Sequence, residues 1–202
     1  MAVLTTAEAK KFLQVPAGAT DDDTFIDTLV TRADAICAGW CGYPVYSAHR
    51  QRTFTQQTYT LYLSGPGGRD LYAGVKPLVS VTTVEDDPNE DFDGSTFLVA
   101  STDYTLRKDE GRILLKLAST QGAWSSTDAD VIKLVASMGF ATIPEALKEA
   151  VGALVKHLWD LPERQGIAAQ ATGGQTQSYR PEAIPVHVKI MLTPFIVRSG
   201  FA

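Results

Sequence analysis

Two long amphipathic segments stand towards the two ends of this 202-residue chain, and most of the sequence between them has the pattern of short strands. Residues 22–40 and 143–161 carry apolar side chains at spacings of three and four, as a helix with one buried face does. Neither segment has an adjacent helical partner of matching length. We therefore expect the two helices to pack on each other, because this arrangement buries both apolar faces.

This pairing predicts an α+β protein in which a helical bundle, built from both chain ends, is interrupted by an antiparallel β-rich insertion. The predicted bundle takes residues 1–44 and 141–202, and the insertion takes residues 45–140. The facing stripes of the two long helices are predicted to form the core of the bundle. Their largest members are Leu29, Ile36, Trp40, Leu147, Leu154 and Leu158.

Local signals predict where the helices begin and end. Thr5 and Glu8 have the spacing of a capping box, which begins a short helix running to about Leu13. The three aspartates at 21–23 stand where carboxylates cap the free N–H groups of the next helix. Pro162 is predicted to end the third long helix, because proline lacks the N–H that a helix interior needs.

The central part of the chain alternates in polarity and is punctuated by turn residues. Between two of its segments lies Lys108-Asp109-Glu110-Gly111, which favours a hairpin with glycine at a position of positive φ. The predicted strands imply a small antiparallel sheet or sandwich. They cover residues 50–63, 78–84, 96–100, 104–107, 112–117 and 130–138.

Two later segments have the composition of chain that a partner orders. Residues 163–183 lack periodicity and are predicted to form a mobile loop, and loops of that length are usually functional or disordered. Residues 195–202 form an apolar tail after Pro194, which follows a short helix over about 185–192. Both segments contain residue types enriched at protein interfaces. The candidate assembly residues are Arg164, Tyr179, Arg180, Phe195, Ile196, Arg198 and Phe201.

The sequence contains no convincing catalytic constellation, cofactor motif or metal site. Cys37, Cys41 and His49 are three potential zinc ligands where a structural site needs four. Because Cys37 falls on the apolar stripe of its helix, buried and reduced cysteines are the favoured interpretation. Ser137 lies within a strand pattern and not in a nucleophile elbow, so hydrolase chemistry is disfavoured. His157 and His187 are interpreted as packing residues.

Two loops resemble ligand-binding motifs without matching them. Oxygen-bearing side chains alternate over residues 87–93, as in a calcium loop, but Phe92 stands where that loop has glycine. We favour a solvated acidic hairpin tip there, and cation binding stays open. The glycine-rich run at 64–69 lacks the Gly-Lys-Ser/Thr ending of a phosphate-binding loop, which favours a tight turn.

Charge and hydropathy narrow the class of protein. A net charge of −5 without a Lys/Arg cluster disfavours a general nucleic-acid binder, although it permits a surface that DNA passes without sticking. The start of the chain lacks a signal-peptide pattern, and no run approaches the roughly 18 apolar residues of a membrane span. We therefore expect a soluble protein, made in a reducing cytoplasm, with no membrane partner.

Short motifs across most of the chain carry a family resemblance. Two lie in the predicted insertion, Val75-x-Pro77-Leu78-x-Ser80-Val81 and Asp103–Leu106 continuing to Gly111–Ile113. The others lie in the predicted bundle: Leu4-Thr5-x-x-Glu8-Ala9-Lys10-x-Phe12-Leu13, Cys41–Pro44, Ile143–Ala150 with Trp159, and Ile184-Pro185-x-x-Val188-x-x-x-Leu192-x-Pro194-Phe195. Together they resemble the tailed-phage head–tail connector proteins, also called head-completion or adaptor proteins, in their longer forms with a β insertion.

The resemblance implies a structural virion protein with no catalysis. Members of that family form a ring of identical copies, a dodecamer by family resemblance, beneath the portal protein at the capsid vertex. The ring extends the DNA channel and docks the tail or a stopper protein, and DNA passes through it without tight binding. The implied location is the neck of the virion, with assembly in the host cytoplasm.

A second interpretation comes from a different class of protein. The β-rich region is, on that interpretation, a stand-alone ligand-binding module for carbohydrate or peptide, carried on helices. Tyr59, Tyr62, Tyr72 and Trp124 are the side chains that would line its binding face. A connector forms rings or binds a portal, whereas a ligand-binding module stays monomeric and has a concave aromatic pocket.

Overall fold

The structure is a computed structural model with α-helices and antiparallel sheets, which confirms the predicted α+β class. Side chains are not described at 127–129 or in the described parts of 161–178. No helix in the described part of the chain combines the length and the apolarity needed to cross a bilayer. The described residues are 3–45, 52–92, 99–119, 121–164, 169–172, 175–178 and 184–197.

The described elements follow one another as two helices, six strands, a helix, a hairpin and a short helix. The helices are α1 (Thr6–Leu13), α2 (Asp23–Trp40), α3 (Glu145–Arg164) and α4 (Val186–Leu192). The strands are β1 (Gln57–Pro66), β2 (Asp70–Tyr72), β3 (Leu78–Asp86), β4 (Tyr104–Arg107), β5 (Arg112–Leu115), β6 (Ser126–Met138), β7 (Ala169–Thr172) and β8 (Gln175–Ser178).

The chain divides into two compact units. The helical unit comprises Met1–Cys41 and Ile143–Ile196, and the β unit comprises Gly42–Thr142 and Val197–Ala202. In the helical unit α3 packs against α1, α2 and α4, and α1 packs against α2. The fully buried side chains of this unit include Ile26, Val30, Leu147, Val151, Leu154 and Val188.

The first helix begins as the sequence predicts. The backbone N–H of Glu8 donates to Thr5 Oγ1 over 3.2 Å, and the backbone N–H of Thr5 donates to Glu8 Oε2 over 2.8 Å. These reciprocal bonds are the predicted capping box, and they satisfy two N–H groups that a helix end leaves free. The helix approaches α3 closely, because a Cβ atom at Gly152 would lie 2.6 Å from the Phe12 ring.

The start of α2 differs from the prediction. Asp22 is the N-cap residue, but its side chain makes no capping hydrogen bond. Its φ of −98° and ψ of 3° lie outside the extended region from which a side chain normally reaches the free N–H groups. The connection between α1 and α2 is held instead by Lys10, a buried cation 2.5 Å from Asp23 Oδ1. Lys10 Nζ also donates to the Ala19 carbonyl over 2.6 Å.

The β unit contains two three-stranded antiparallel sheets. Their strand orders are β1-β6-β3 and β2-β5-β4. The long strand β6 pairs with both of its neighbours, with Ala136 opposite Tyr59 on one side and Val81 on the other. Alternate positions of β6 are buried, among them Ile132, Leu134, Ala136 and Met138.

The predicted hairpin between β4 and β5 is confirmed, with Gly111 at φ +66°. A Cβ atom at Gly111 would lie 2.4 Å from the Val75 carbonyl oxygen, so glycine also allows the backbones to approach. The short strand β2 was missed, and β1 begins at Gln57, seven positions after the predicted start at Arg50. Of the predicted strand 96–100, residues 96–98 lie outside the described part, and 99–100 are not strand.

The prediction of an irregular loop over 163–183 is wrong for two stretches. The helix α3 continues through Pro162 to Arg164, where the N–H missing from proline affects only the last turn. Strands β7 and β8 then pair as an antiparallel hairpin. The sequence between them is Gly173-Gly174, a two-residue connection that favours hairpins. The predicted mobility of the segment stays a prediction.

Candidate assembly surfaces

Metal-binding and nucleophilic chemistry has little support in the described residues. They contain no group of three or more potential metal ligands among His, Cys, Asp and Glu. Cys37 and Cys41 are free and fully buried, and the Cys41 thiol lies 3.8 Å from the Leu192 carbonyl. Burial raises the pKa of Cys37 to about 12, with Cys41 and Asp34 adding to the effect. Both cysteines are core residues as predicted, and His49 lies outside the described part.

The tip of the acidic loop is solvated as predicted, since residues 88–91 are exposed, but the aspartate that begins the loop is turned inwards. Asp87 is only 1% exposed, and its carboxylate accepts backbone hydrogen bonds from Asn89 and Phe92, each over 2.9 Å. The preceding Glu85 and Asp86 are also buried. A carboxylate that accepts hydrogen bonds from two backbone N–H groups of its own loop stabilises the conformation of that loop. Of the remaining members of the calcium-like pattern, Asp91 is exposed, and Asp93 and Gly94 lie outside the described residues.

Two other motifs have structural roles. The glycine-rich turn is held from the far side by Trp124, whose indole N–H donates to the Arg69 carbonyl over 3.1 Å. The backbone N–H of Gly67 also donates to the Ser125 carbonyl over 2.9 Å. Ser137 lies within β6, and its hydroxyl accepts a hydrogen bond from the Gln56 amide over 2.7 Å. The first motif is a tight turn, as predicted, and the second is a sheet residue.

The four aromatic residues proposed to line a ligand face do not share a surface. Tyr59 and Trp124 are buried, at 1% and 2% exposure. Tyr62 is exposed in β1 and packs edge-on against Phe92, with ring centroids 5.3 Å apart. Tyr72 is exposed in β2, where the Arg112 guanidinium lies 4.9 Å from its ring centre. The predicted aromatic face is therefore wrong, because two of its four members are core residues.

Two of the seven candidate assembly residues have described side chains. Phe195 ends a short 3₁₀ turn after α4, Ile196 follows it, and both are half-buried in the helical unit. Arg164 is the last residue of α3, but its side chain is not described. Tyr179, Arg180, Arg198 and Phe201 lie outside the described residues.

The described part of the tail contacts its own chain. Val197 belongs to the β unit, where a Cβ atom at Gly42 would lie 3.4 Å from its carbonyl oxygen. Val197 also lines an open cavity of about 350 Å³ together with Tyr72, Lys76 and Arg112. The tail is therefore in contact with its own chain as far as Val197.

Two places on the helical unit have exposed apolar side chains that were not predicted from the sequence. Phe25 was assigned to the buried stripe of its helix, but it is 48% exposed. Its ring lies 5.7 Å from that of Trp159 on α3. On α4, Val186 and Ile190 are 59% and 67% exposed. Their spacing of four was the available signal, because it places both side chains on one helical face.

An ion cluster ties α1 to α3. Lys148 Nζ lies 2.9 Å from Glu8 Oε1 and 3.1 Å from Glu145 Oε1. The hydrogen bond from the Thr5 backbone, and then the one from Lys148, lower the pKa of Glu8 to about 2. The same carboxylate therefore caps one helix and pairs with a cation on another.

Comparison with known proteins assigns this chain to a family. The family model for head completion proteins matches residues 2–196. The chain belongs to the head completion protein family. The predicted resemblance is thereby confirmed, and membership assigns the chain a structural role in a virion.

A solved structure supports the fold independently. A chain from the virion of a native gene transfer agent particle superposes with a TM-score of 0.57 at 18% sequence identity. The match covers 98% of this chain and 92% of that chain, so the similarity extends over both proteins. No curated protein sequence matches this head completion protein.

Proposed function

We propose that this protein is a head–tail connector that forms a ring beneath the portal protein, extends the DNA channel and docks the tail or a stopper protein. The observation that carries the proposal is the match to head completion proteins over residues 2–196, nearly the whole chain. In this proposal the protein occupies the neck of the virion after assembly in the host cytoplasm. The ring contains identical copies, twelve of them by family resemblance.

The two units have different roles in this proposal. The helical bundle, made from both ends of the chain, forms the body of the ring, and the β-rich insertion over 45–140 supplies a docking surface. The contacts of α3 with α1, α2 and α4 support a bundle that holds its shape as a subunit. A ring subunit needs that rigidity, because small errors in angle accumulate around a closed ring.

The charge balance suits a conduit for DNA. The net charge is −5, and a protein that clamps DNA needs clustered Lys and Arg to neutralise phosphates. An acidic channel wall lets DNA move past without releasing counterions and binding. We therefore propose that DNA traverses the ring without tight binding.

We propose that the two segments identified from the sequence become ordered when the ring assembles, where the C-terminal segment docks on a neighbour. They contain Arg164, Tyr179, Arg180, Phe195, Ile196, Arg198 and Phe201, several of them aromatic or arginine residues that often anchor interfaces. Phe195 and Ile196 are half-buried in their own subunit, so we place the docking part of the tail after Val197.

Electron microscopy of the purified protein, alone and mixed with its portal protein, tests the proposal. The expected result is a ring bound to the portal. A protein that stays monomeric, leaves the portal bare and is absent from the necks of assembled particles would contradict the proposed function.

Truncation after Val197 tests the tail. This variant lacks Arg198 and Phe201 but keeps the described contacts of Val197 with its own chain. We expect an unchanged melting temperature and a loss of incorporation into particles. A melting temperature several degrees lower would assign the removed residues to the subunit core.

A further inference from the structure

The cavity of about 350 Å³ in the β unit lies where the described part of the tail stops. One wall comes from the connection after β2, which includes Val75 and Lys76. Another wall comes from residues 109–112, at the turn between β4 and β5. Val197, the last described residue, lines the same cavity. The residue bonded to Val197 therefore starts at the edge of this cavity.

Covalent geometry fixes the place at which Arg198 begins. Val197 packs on Gly42, because a Cβ atom at Gly42 would lie 3.4 Å from the Val197 carbonyl oxygen and 3.8 Å from its Cβ atom. Consecutive Cα atoms are about 3.8 Å apart across a trans peptide bond. Arginine has a long side chain that ends in a planar fork of N–H donors. From this start, the guanidinium of Arg198 is within reach of the walls that surround Val197.

The charged side chains of the cavity leave one carboxylate without an ion-pair partner. Arg112 is already committed, because its guanidinium lies 2.5 Å from Asp70 Oδ1 and 3.1 Å from Glu110 Oε2. Asp109 lines the same cavity and is exposed. Within the described residues it pairs with no cation, not even with Lys76 on the opposite wall. Asp109 is therefore available to a cation that lies outside the described part of the chain.

We propose that Arg198 enters the cavity of its own subunit and pairs with Asp109, which ties the start of the tail to the β4–β5 turn. Arg198 is the only charged residue among 198–202, and its charge is opposite to that of Asp109. Its bond to Val197 keeps it at a high effective concentration beside the cavity, an advantage that a second molecule lacks. An exposed ion pair contributes little to stability, which agrees with the unchanged melting temperature expected after truncation.

The consequence for assembly rests on the proposed function. An anchored Arg198 sets the place from which residues 199–202 leave the subunit. These residues then dock on a neighbour with less conformational freedom to lose, because the start of the segment is already held.

Limited trypsin digestion of the full-length protein tests the pair, because trypsin cuts after arginine and must draw the Arg198 side chain out of the cavity. The rate of cleavage after Arg198 is followed by mass spectrometry. Asp109→Asn should raise this rate about two- to fivefold, the factor that corresponds to an exposed ion pair. Asp91→Asn is the matched control, because Asp91 is an exposed aspartate of the β unit that does not line the cavity. It should leave the rate unchanged.

Zero-length cross-linking identifies the partner directly. In Arg198→Lys, a carbodiimide joins the amine at position 198 to a carboxylate in contact with it, forming an amide with loss of water. We expect a cross-link from position 198 to Asp109 within the monomeric protein. The cross-link should disappear when Asp109→Asn is added and persist when Asp91→Asn is added.

Four outcomes overturn the proposal. They are a cleavage rate that Asp109→Asn leaves unchanged, a cross-link from position 198 to a different carboxylate, no cross-link from that position, and a cross-link to Asp109 that joins two copies in a dimer. The last would assign the cavity to the tail of a neighbour. Each of the four leaves the proposed function standing if the wild-type protein still forms a ring on the portal. Absence of that ring would instead contradict the proposed function.

Discussion

Replacing Leu154 by alanine tests the packing of the helical unit most directly. Leu154 lies in α3 and is fully buried. The substitution removes three side-chain carbons, a transfer term of about 2.4 kcal/mol at about 0.8 kcal/mol for each buried carbon. The cavity left behind adds to that cost, because neighbouring side chains relax only partly. We expect a loss of roughly 2–5 kcal/mol in the free energy of unfolding.

Urea unfolding followed by far-ultraviolet circular dichroism measures this loss. The helical signal comes mainly from α1 to α4, so it reports on the helical unit. The midpoint should fall without a change in slope, since the substitution alters stability and not the surface exposed on unfolding. Lys156→Ala is the matched control, because Lys156 is exposed two positions further along α3. It should change the free energy by less than about 0.5 kcal/mol.

The packing argument fails if Leu154→Ala costs no more than its control. Such a result would mean that this face of α3 is open to solvent. The assignment of α3 as the helix against which α1, α2 and α4 pack would then be wrong.

Three further predictions concern charge and reactivity. The pKa of Glu8 is lowered from 4.5 to about 2, so its contribution to stability is complete above pH 4.5 and is lost as the pH falls towards 2. Acid unfolding of Glu8→Gln should lack that component. The thiols of Cys37 and Cys41 should resist a maleimide in the native protein and react after denaturation, because both are buried; rapid native labelling would contradict their core placement. Duplex DNA should bind weakly near physiological salt. Submicromolar binding with a steep salt dependence, measured by fluorescence anisotropy, would refute the proposal that DNA traverses the ring without tight binding.

Local chemistry explains which parts of the fold could be predicted from the sequence. The capping box at Thr5 and the hairpin at Gly111 each depend on a few consecutive residues, and both are confirmed. The long helices were predicted because their periodicity extends over several turns. Strand β2 was missed because three residues carry too little pattern, and its pairing with β5 is distant in sequence.

Buried polar groups could not be predicted, because their surroundings come from other parts of the fold. From the sequence, Lys10 is expected to face solvent on its helix, yet the α1–α2 connection encloses it. Asp87 is likewise expected to be an exposed turn residue, yet its loop folds around its carboxylate. The prediction for Phe25 was wrong in the opposite sense. Its spacing matches the buried stripe, but its side chain is half exposed, and its ring lies beside that of Trp159.

The acidic residues of this chain fall into two groups with different consequences for assembly. Glu8 and Asp87 accept hydrogen bonds from their own subunit, so their charge is used in holding the fold. Asp21 and Asp22 are exposed at the start of α2, where their charge reaches into solvent. Charges of the second kind steer a partner more effectively, because they are exposed and their carboxylates are not already held by groups of their own subunit. The net charge of −5 therefore matters less for assembly than the position of these two exposed aspartates, which make the start of α2 different from helix α4, where residues 186–192 contain no Asp or Glu.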